Sequence, residues 1–212
     1  MATPAPSAEP PASTVPATTV PPAAGTARSG TRRDDILRAG ARLFAAHGFQ
    51  GVSIEQLGAA VGISGPAIYR HFAGKNAILG AMLVGISEKL NADGAAAARL
   101  GLPPAETLER LVTLHIAFTL DEPDLITIHD RELGNLSRGD EHRVRRLQRA
   151  YVETWATVLR QLDARLGVAE SRARAHALFG LLNSTPHSAT ELDRDAMAAL
   201  LREMALRAAL PG

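Results

Sequence analysis

The stretch from Val52 to Lys75 constrains this chain more than any other. Ser53 precedes Ile54, Leu57 and Val61, which recur at helical spacing, and Gln56 stands three residues after Ser53 in the arrangement of a capping box. A helix is therefore expected to start at Ser53. Gly62 stands where a helix ends on a left-handed residue, and Ile63 is placed to pack back into the angle beyond it. Ser64 is a candidate cap for a second helix with Pro66 in its first turn, where a missing N–H is harmless. There Ala67 and Ile68 face the apolar angle while Tyr69, Arg70 and His71 crowd the other side. Two helices joined by a short glycine turn make a helix-turn-helix, in which the second helix is the reader of nucleic acid.

Charge is distributed in the same sense. The 212-residue chain has a net charge of only +1, but from Arg28 to Lys75 seven Lys and Arg face three Asp and Glu, so the remainder is slightly acidic. A basic end joined to a domain without that bias fits a protein that touches DNA at one end. Upstream, residues 1–29 are rich in Pro, Ala, Thr and Ser and lack side chains able to offset the entropy of ordering, so a disordered tail is expected. Its end, Arg28 with Arg32 and Arg33, is placed to reach the minor groove or phosphates. A first helix from Asp34 or Asp35 to His47 carries Ile36, Gly40, Leu43, Phe44 and His47 on one side, with His47 expected as a structural hydrogen-bonding residue.

Downstream, a long helix is expected from Lys75 to the alanine run 95–98. Further helices follow Pro103 and Pro104, follow Pro123, run from Asp140 to Leu166, and cover Ala169 to Asn183 and Asp193 to Leu210. No segment shows the alternation of a strand. The fold class is all-α, with a tail over 1–29, the helix-turn-helix block over 30–75, and a further helical region over 76–212.

Composition excludes several other functions. With no cysteine there is no disulfide frame, thiolate nucleophile or thiolate metal site, and no apolar run approaches the ~18 residues of a membrane span. A phosphate loop, a Gly-x-Ser-x-Gly elbow and a His-Glu-x-x-His pair are all missing, so an enzyme is not expected. His129 and Glu132 alone fall short of a metal site, and no metal or cofactor is expected. The protein is expected in the cytoplasm, without a membrane partner.

From Arg33 to Leu79 the sequence resembles the TetR/AcrR family of transcriptional regulators, most specifically in Gly62-Ile63-Ser64, in Ala67 through Phe72, and in Lys75. The resemblance implies an all-helical homodimer, with a three-helix DNA-binding domain over 30–75 and a helical ligand-binding and dimerisation domain over 76–212, that binds an operator in double-stranded DNA and answers to a small-molecule effector. In the DNA-binding block Ser53, Tyr69, His71 and Lys75 are candidates for phosphate contacts, Arg32 and Arg33 for the minor groove or phosphates, and Ser64 is a further DNA-binding candidate. Arg70 is the candidate for a bidentate contact with guanine or, alternatively, one more phosphate contact, and Gly65, Pro66 and Ala67 for close approach to thymine methyls. Lys75, in the first turn of the long helix, would share its phosphate with the free N–H groups there.

On the ligand side the candidates are His115, Phe118, Ile128, His129, Glu132, Tyr151, Trp155 and Asn183, which offer apolar walls and a few polar groups; an amphipathic or planar organic molecule would suit them. A stripe such as Tyr151 and Trp155 is more often ordinary core than a binding box. Two strips of small and apolar residues, Ala173, Ala177, Gly180 and Leu181, and then Met197, Leu200, Leu201 and Met204, read from periodicity alone as core or as interface. The resemblance implies a four-helix pairing surface between two copies. Two reading helices would then stand about 34 to 36 Å apart in the simple case and meet an inverted repeat. Repression and activation are not separated by sequence.

Overall fold

The protein was analysed as a computed structural model that describes Met1 and residues 31–188 and 191–209. Residues 2–29 of the expected tail, with Arg28, and the end of the last helix at Leu210 lie outside the described residues. Helix α1 spans Arg32–His47 and begins earlier than expected because Thr31 and Asp34 form a capping box that the sequence reading missed. The Thr31 backbone and hydroxyl both donate to the Asp34 carboxylate, and these bonds hold it below the usual carboxylate range. Gly48 closes the helix with φ +72°. His47 is exposed, not on the apolar side.

Helix α2, Ile54–Ala60, starts from the Ser53–Gln56 capping box. Gly62 then takes φ +70°, the left-handed turn a side chain would resist. The reading helix α3 is only Gly65–Ile68, and turn-type bonds continue its curl through Phe72. Ser64 precedes it without a side-chain cap bond, contrary to expectation. Gly58 lets the two helices close, since a Cβ there would lie 2.8 Å from the Ile63 carbonyl oxygen and 2.9 Å from the Gly65 nitrogen.

Helix α4, Lys75–Ala98, leads into α5, Pro104–Asp121, and α6, Pro123–Glu132, which a 3-10 turn over Leu133–Asn135 extends. Next come α7, Arg138–Leu162, α8, Val168–Leu182, the single turn α9, Thr185–Ser188, and α10, Arg194–Ala209. No strand occurs among the described residues, and no helix is long and apolar enough to cross a membrane. The fold is all-α.

Two apolar cores organise these helices. The first collects Ile36, Phe44, Phe49, Leu57, Ile68 and Phe72 and extends past residue 75 to Ile78, Leu79, Met82 and Leu83 of α4, Ile128 of α6 and Val144 of α7. The second joins α5, α7, α8 and α10 through Leu108, Leu111, Trp155, Leu159, Leu178, Leu182 and Leu201. Helix α4 crosses close over α7 at two glycines. A Cβ on Gly80 would lie 2.6 Å from the Asp140 carboxylate, and one on Gly94 2.6 Å from the Tyr151 ring. The connecting helix is thereby seated on the helix that carries Tyr151.

Candidate nucleic-acid interface and cavity

The outer face of the helix-turn-helix carries Ser53, Ser64, Pro66, Tyr69 and Arg70 exposed, with Ala67 and His71 half-buried. Tyr69 is 58% exposed. Ser53 caps α2 by accepting from the Gln56 N–H, while its own backbone N–H donates to the Gln56 side chain at 2.7 Å. Gly65 is buried: its missing side chain makes room for Glu55, whose Cα would lie 3.3 Å from a Cβ there. It serves the packing of α3 on α2, and the thymine-facing reading is left to Pro66 and Ala67.

Three expected phosphate ligands are held inside the unit. Arg33 donates to the His71 carbonyl oxygen at 2.7 Å and stacks 3.9 Å over the Phe72 ring, so it ties α1 to the end of the reading turn. Arg32 donates to the Val61 carbonyl at 3.1 Å and pairs with Asp35 at 3.5 Å. Lys75 donates to the Val52 carbonyl at 2.8 Å and lies 4.5 Å from the centre of the Phe49 ring. Each of these cations keeps unused N–H donors beside the exposed face.

In the C-terminal half, α4 to α8 enclose a cavity of about 250 Å³. Of the expected ligand residues, His115, Phe118, His129, Tyr151 and Asn183 line it. At its closed end His115 Nε2 lies 3.0 Å from Asn183 Oδ1 and His115 Nδ1 lies 3.3 Å from the Tyr151 hydroxyl. A neutral ring that donates from Nε2 and accepts at Nδ1 satisfies both partners. Burial drives the His115 pKa down to about 4, against the smaller upward pull of Asn183, and burial raises that of Tyr151. The relay is uncharged at neutral pH. Phe179 packs against both rings, stacked on Tyr151 at 5.4 Å and 11° and tilted by 32° on His115 at 5.0 Å.

Three expected residues do not line the cavity. Ile128 is fully buried in the first core, on the side of α6 turned toward α1. Glu132, on that same side, accepts from the Phe49 N–H at 3.0 Å and from the Asn135 amide at 2.7 Å. Gln50 donates to the Asn135 side-chain oxygen at 3.1 Å, and Asn76 to the Asn135 carbonyl at 3.0 Å. This polar cluster latches the end of α6 onto the DNA-binding helices. Trp155 is fully buried behind the relay, 5.0 Å from Phe179, with its indole N–H unpartnered among the described residues.

Other lining residues escaped the sequence reading. They are Ile86, Ser87 and Leu90 of α4; Leu125, Ile126 and Asp130 of α6; Leu147, Gln148 and Val152 of α7; and His176 and Phe179 of α8. Leu147 lies one turn before Tyr151 and Phe179 one turn before Asn183, a spacing that marks a shared face once one member is known. His129 bonds Gln148 across the cavity wall, whereas Glu132 turns to Phe49, so the two do not converge on one site.

The two expected pairing strips divide. Ala173, Ala177, Gly180, Leu200 and Met204 are exposed, Leu200 at 42% and Met204 at 46%, and Leu181 is half-buried. Met197 and Leu201 belong to the core of their own chain, packed with α5 and α8.

Comparison with known proteins agrees with this architecture. Residues 36–82 match the family model described as bacterial regulatory proteins, tetR family, and residues 101–208 match that described as tetracyclin repressor-like, C-terminal domain. No curated protein sequence matches the chain. Among solved structures it is similar to a TetR-family transcriptional regulator from Bordetella parapertussis, with a TM-score of 0.74, 21% identity, and coverage of 83% of this chain and 94% of that one. The ketosteroid transcriptional regulator KstR2 of Mycobacterium tuberculosis gives a TM-score of 0.72 and 18% identity over 85% and 95% of the two chains. AibR, solved with isovaleryl coenzyme A and operator DNA, gives 0.68 and 17% over 82% and 97%. With both halves matched and the helix-turn-helix in place, this chain belongs to the TetR family of DNA-binding transcriptional regulators.

Proposed function

We propose that the protein is a repressor that binds an inverted-repeat operator as a homodimer and is released when a small hydrophobic or amphipathic effector enters the cavity bounded by α4 to α8. The observation that carries this reading is that α4 and α6 serve both ends. Helix α4 gives Ile78 and Leu79 to the DNA-binding core and Ile86 and Leu90 to the cavity wall, and α6 gives Ile128 and Glu132 to the first and Ile126 and His129 to the second. A ligand that moves either helix moves the seat of the reading helix, and it shifts the DNA equilibrium only by its preference for one arrangement.

Tyr69, His71 and Ser53 are assigned to phosphates, Arg70 to a base edge, and the spare donors of Arg32, Arg33 and Lys75 to the flanking backbone. The exposed strip of Ala173, Ala177, Gly180, Leu200 and Met204 is the surface we assign to pairing, since small residues let helices approach closely and an apolar strip left in water is costly. The similar regulators bound to a coenzyme A thioester or named for ketosteroids support an organic effector.

The test is selection from a library of genomic fragments by the purified protein at ~0.15 M salt. An inverted repeat recovered by sequencing supports a dimeric operator-binding regulator. Retention without sequence preference, by protein shown to carry no co-purified small molecule, removes it.

A further inference from the structure

Beside the cavity lies a second concavity of opposite chemistry. It is a surface groove of about 580 Å³ between α7 and α8, lined by Arg145, Arg146 and Arg149 of α7 and Arg172 of α8, with Glu153 as its acid. The two spaces adjoin, because Gln148, Val152 and His176 line both. Arg145 pairs with Glu141 at 2.9 Å and Arg172 with Glu153. Arg146 and Arg149 are exposed and have no carboxylate partner among the described residues.

The cavity itself holds no Lys or Arg. Its one charged residue, Asp130, is exposed, and the ring at its closed end is the uncharged His115. An anion buried there would lose its hydration without gaining a lysine or arginine partner. The space is also below the ~300 to 1,000 Å³ of pockets that enclose a drug-sized molecule, so it suits a small uncharged group. Guanidinium forks outside the mouth suit phosphate, which they bind with paired N–H donors.

We propose that the effector has two parts, a short acyl chain or small ring that fills the cavity and a phosphate-bearing group that lies along the arginine groove, which is the chemistry of an acyl thioester of coenzyme A. The inference rests on the reading of the cavity as the effector site. It assigns Arg146 and Arg149 to the phosphates and makes Gln148, at the junction, the residue that the connecting segment passes.

Trp155, the chain's one tryptophan, reports on the cavity, since its ring lies 5.0 Å from Phe179 and 6.0 Å from Tyr151. Its fluorescence is followed while the full chain is titrated with hexanoyl coenzyme A, with coenzyme A, and with S-hexanoyl-N-acetylcysteamine, which keeps the thioester and lacks phosphate. Hexanoyl coenzyme A is expected to bind at least about 10-fold more tightly than either part, because each anchors the other. That advantage should shrink between about 0.05 and 0.5 M salt as the charges are screened. The double variant Arg146→Ala, Arg149→Ala should abolish it and leave the affinity for the phosphate-free thioester unchanged. Equal affinity for the two thioesters overturns the proposal, as does a double variant with wild-type preference or one that loses only DNA binding. A protein that selects an operator yet answers none of the three probes keeps its reading as a regulator and loses this inference. One that binds the thioester as described but selects no sequence keeps this inference and loses the other.

Discussion

Arg33 and Lys75 at the DNA-facing end are held by the backbone carbonyls of His71 and Val52, whereas His115 in the cavity is held by side chains, those of Tyr151 on α7 and Asn183 just past α8. The reading motif itself is built locally. Its caps, its glycine turn and its outward residues are consecutive, so changing one should alter what the surface binds more than whether it forms. The second end exists only after distant helices meet. Its residues share duties between fold and site, and substitutions there should show in stability first.

Trp155→Ala should break that contrast most visibly. A fully buried indole is replaced by a methyl group, and the expected loss is about 3–5 kcal/mol in urea unfolding. A loss under about 1 kcal/mol would mean that the second core collapses around the gap, and that Trp155 is less a core residue than the geometry indicates.

The His115 relay gives the next largest effect. An unfolded histidine titrates near 6.5 and the buried ring near 4, so between these values the unfolded chain takes up more protons than the folded one. Stability is therefore full above about pH 6.5 and falls as the pH drops toward 4, by roughly 3 kcal/mol in all. Thermal unfolding of wild type and His115→Gln at matched pH values isolates this effect. Parallel curves between pH 4 and 7 would show that His115 is protonated with little penalty.

Glu132→Ala tests the join between the two ends. It strands the buried Phe49 N–H and frees Asn135, at an expected cost of about 1–3 kcal/mol in denaturant unfolding, and it should alter operator affinity although Glu132 is remote from the outer face of α3. Stability loss with unchanged operator binding would reduce the latch to packing. The smallest effects on folding belong to the reading surface. Arg70→Ala should leave stability near wild type and relax one operator position by ~1 to 3 kcal/mol, while Tyr69→Ala should weaken binding evenly across sequences. Competition against point-varied operators separates these two patterns.

The same contrast explains what could be read before the structure was known. The Ser53–Gln56 box, Gly62 and the start of α4 at Lys75 follow from local rules, and each is found in place. Helix α6 marks the boundary of such reasoning. Its periodicity shows two apolar faces, but not that Ile126 and His129 turn to the cavity while Ile128 and Glu132 turn to α1. Helix α10 presents the same ambiguity, resolved only when Met197 and Leu201 pack inward and Leu200 and Met204 stay exposed. Arg146 and Arg149 read as a solvated helix face until α8 brings Arg172 and His176 alongside them.

The central claim is that cavity and reading helix belong to one switch, and the most direct test is the operator affinity of a variant whose cavity is filled from within. Leu147 is half-buried on α7 and lines the space, so Leu147→Phe adds volume there without touching the DNA-binding core. With helical content and dimerisation as in wild type, operator affinity should fall by at least about 10-fold, roughly 1.4 kcal/mol of coupling. Wild-type operator affinity in a folded, filled variant would contradict the account.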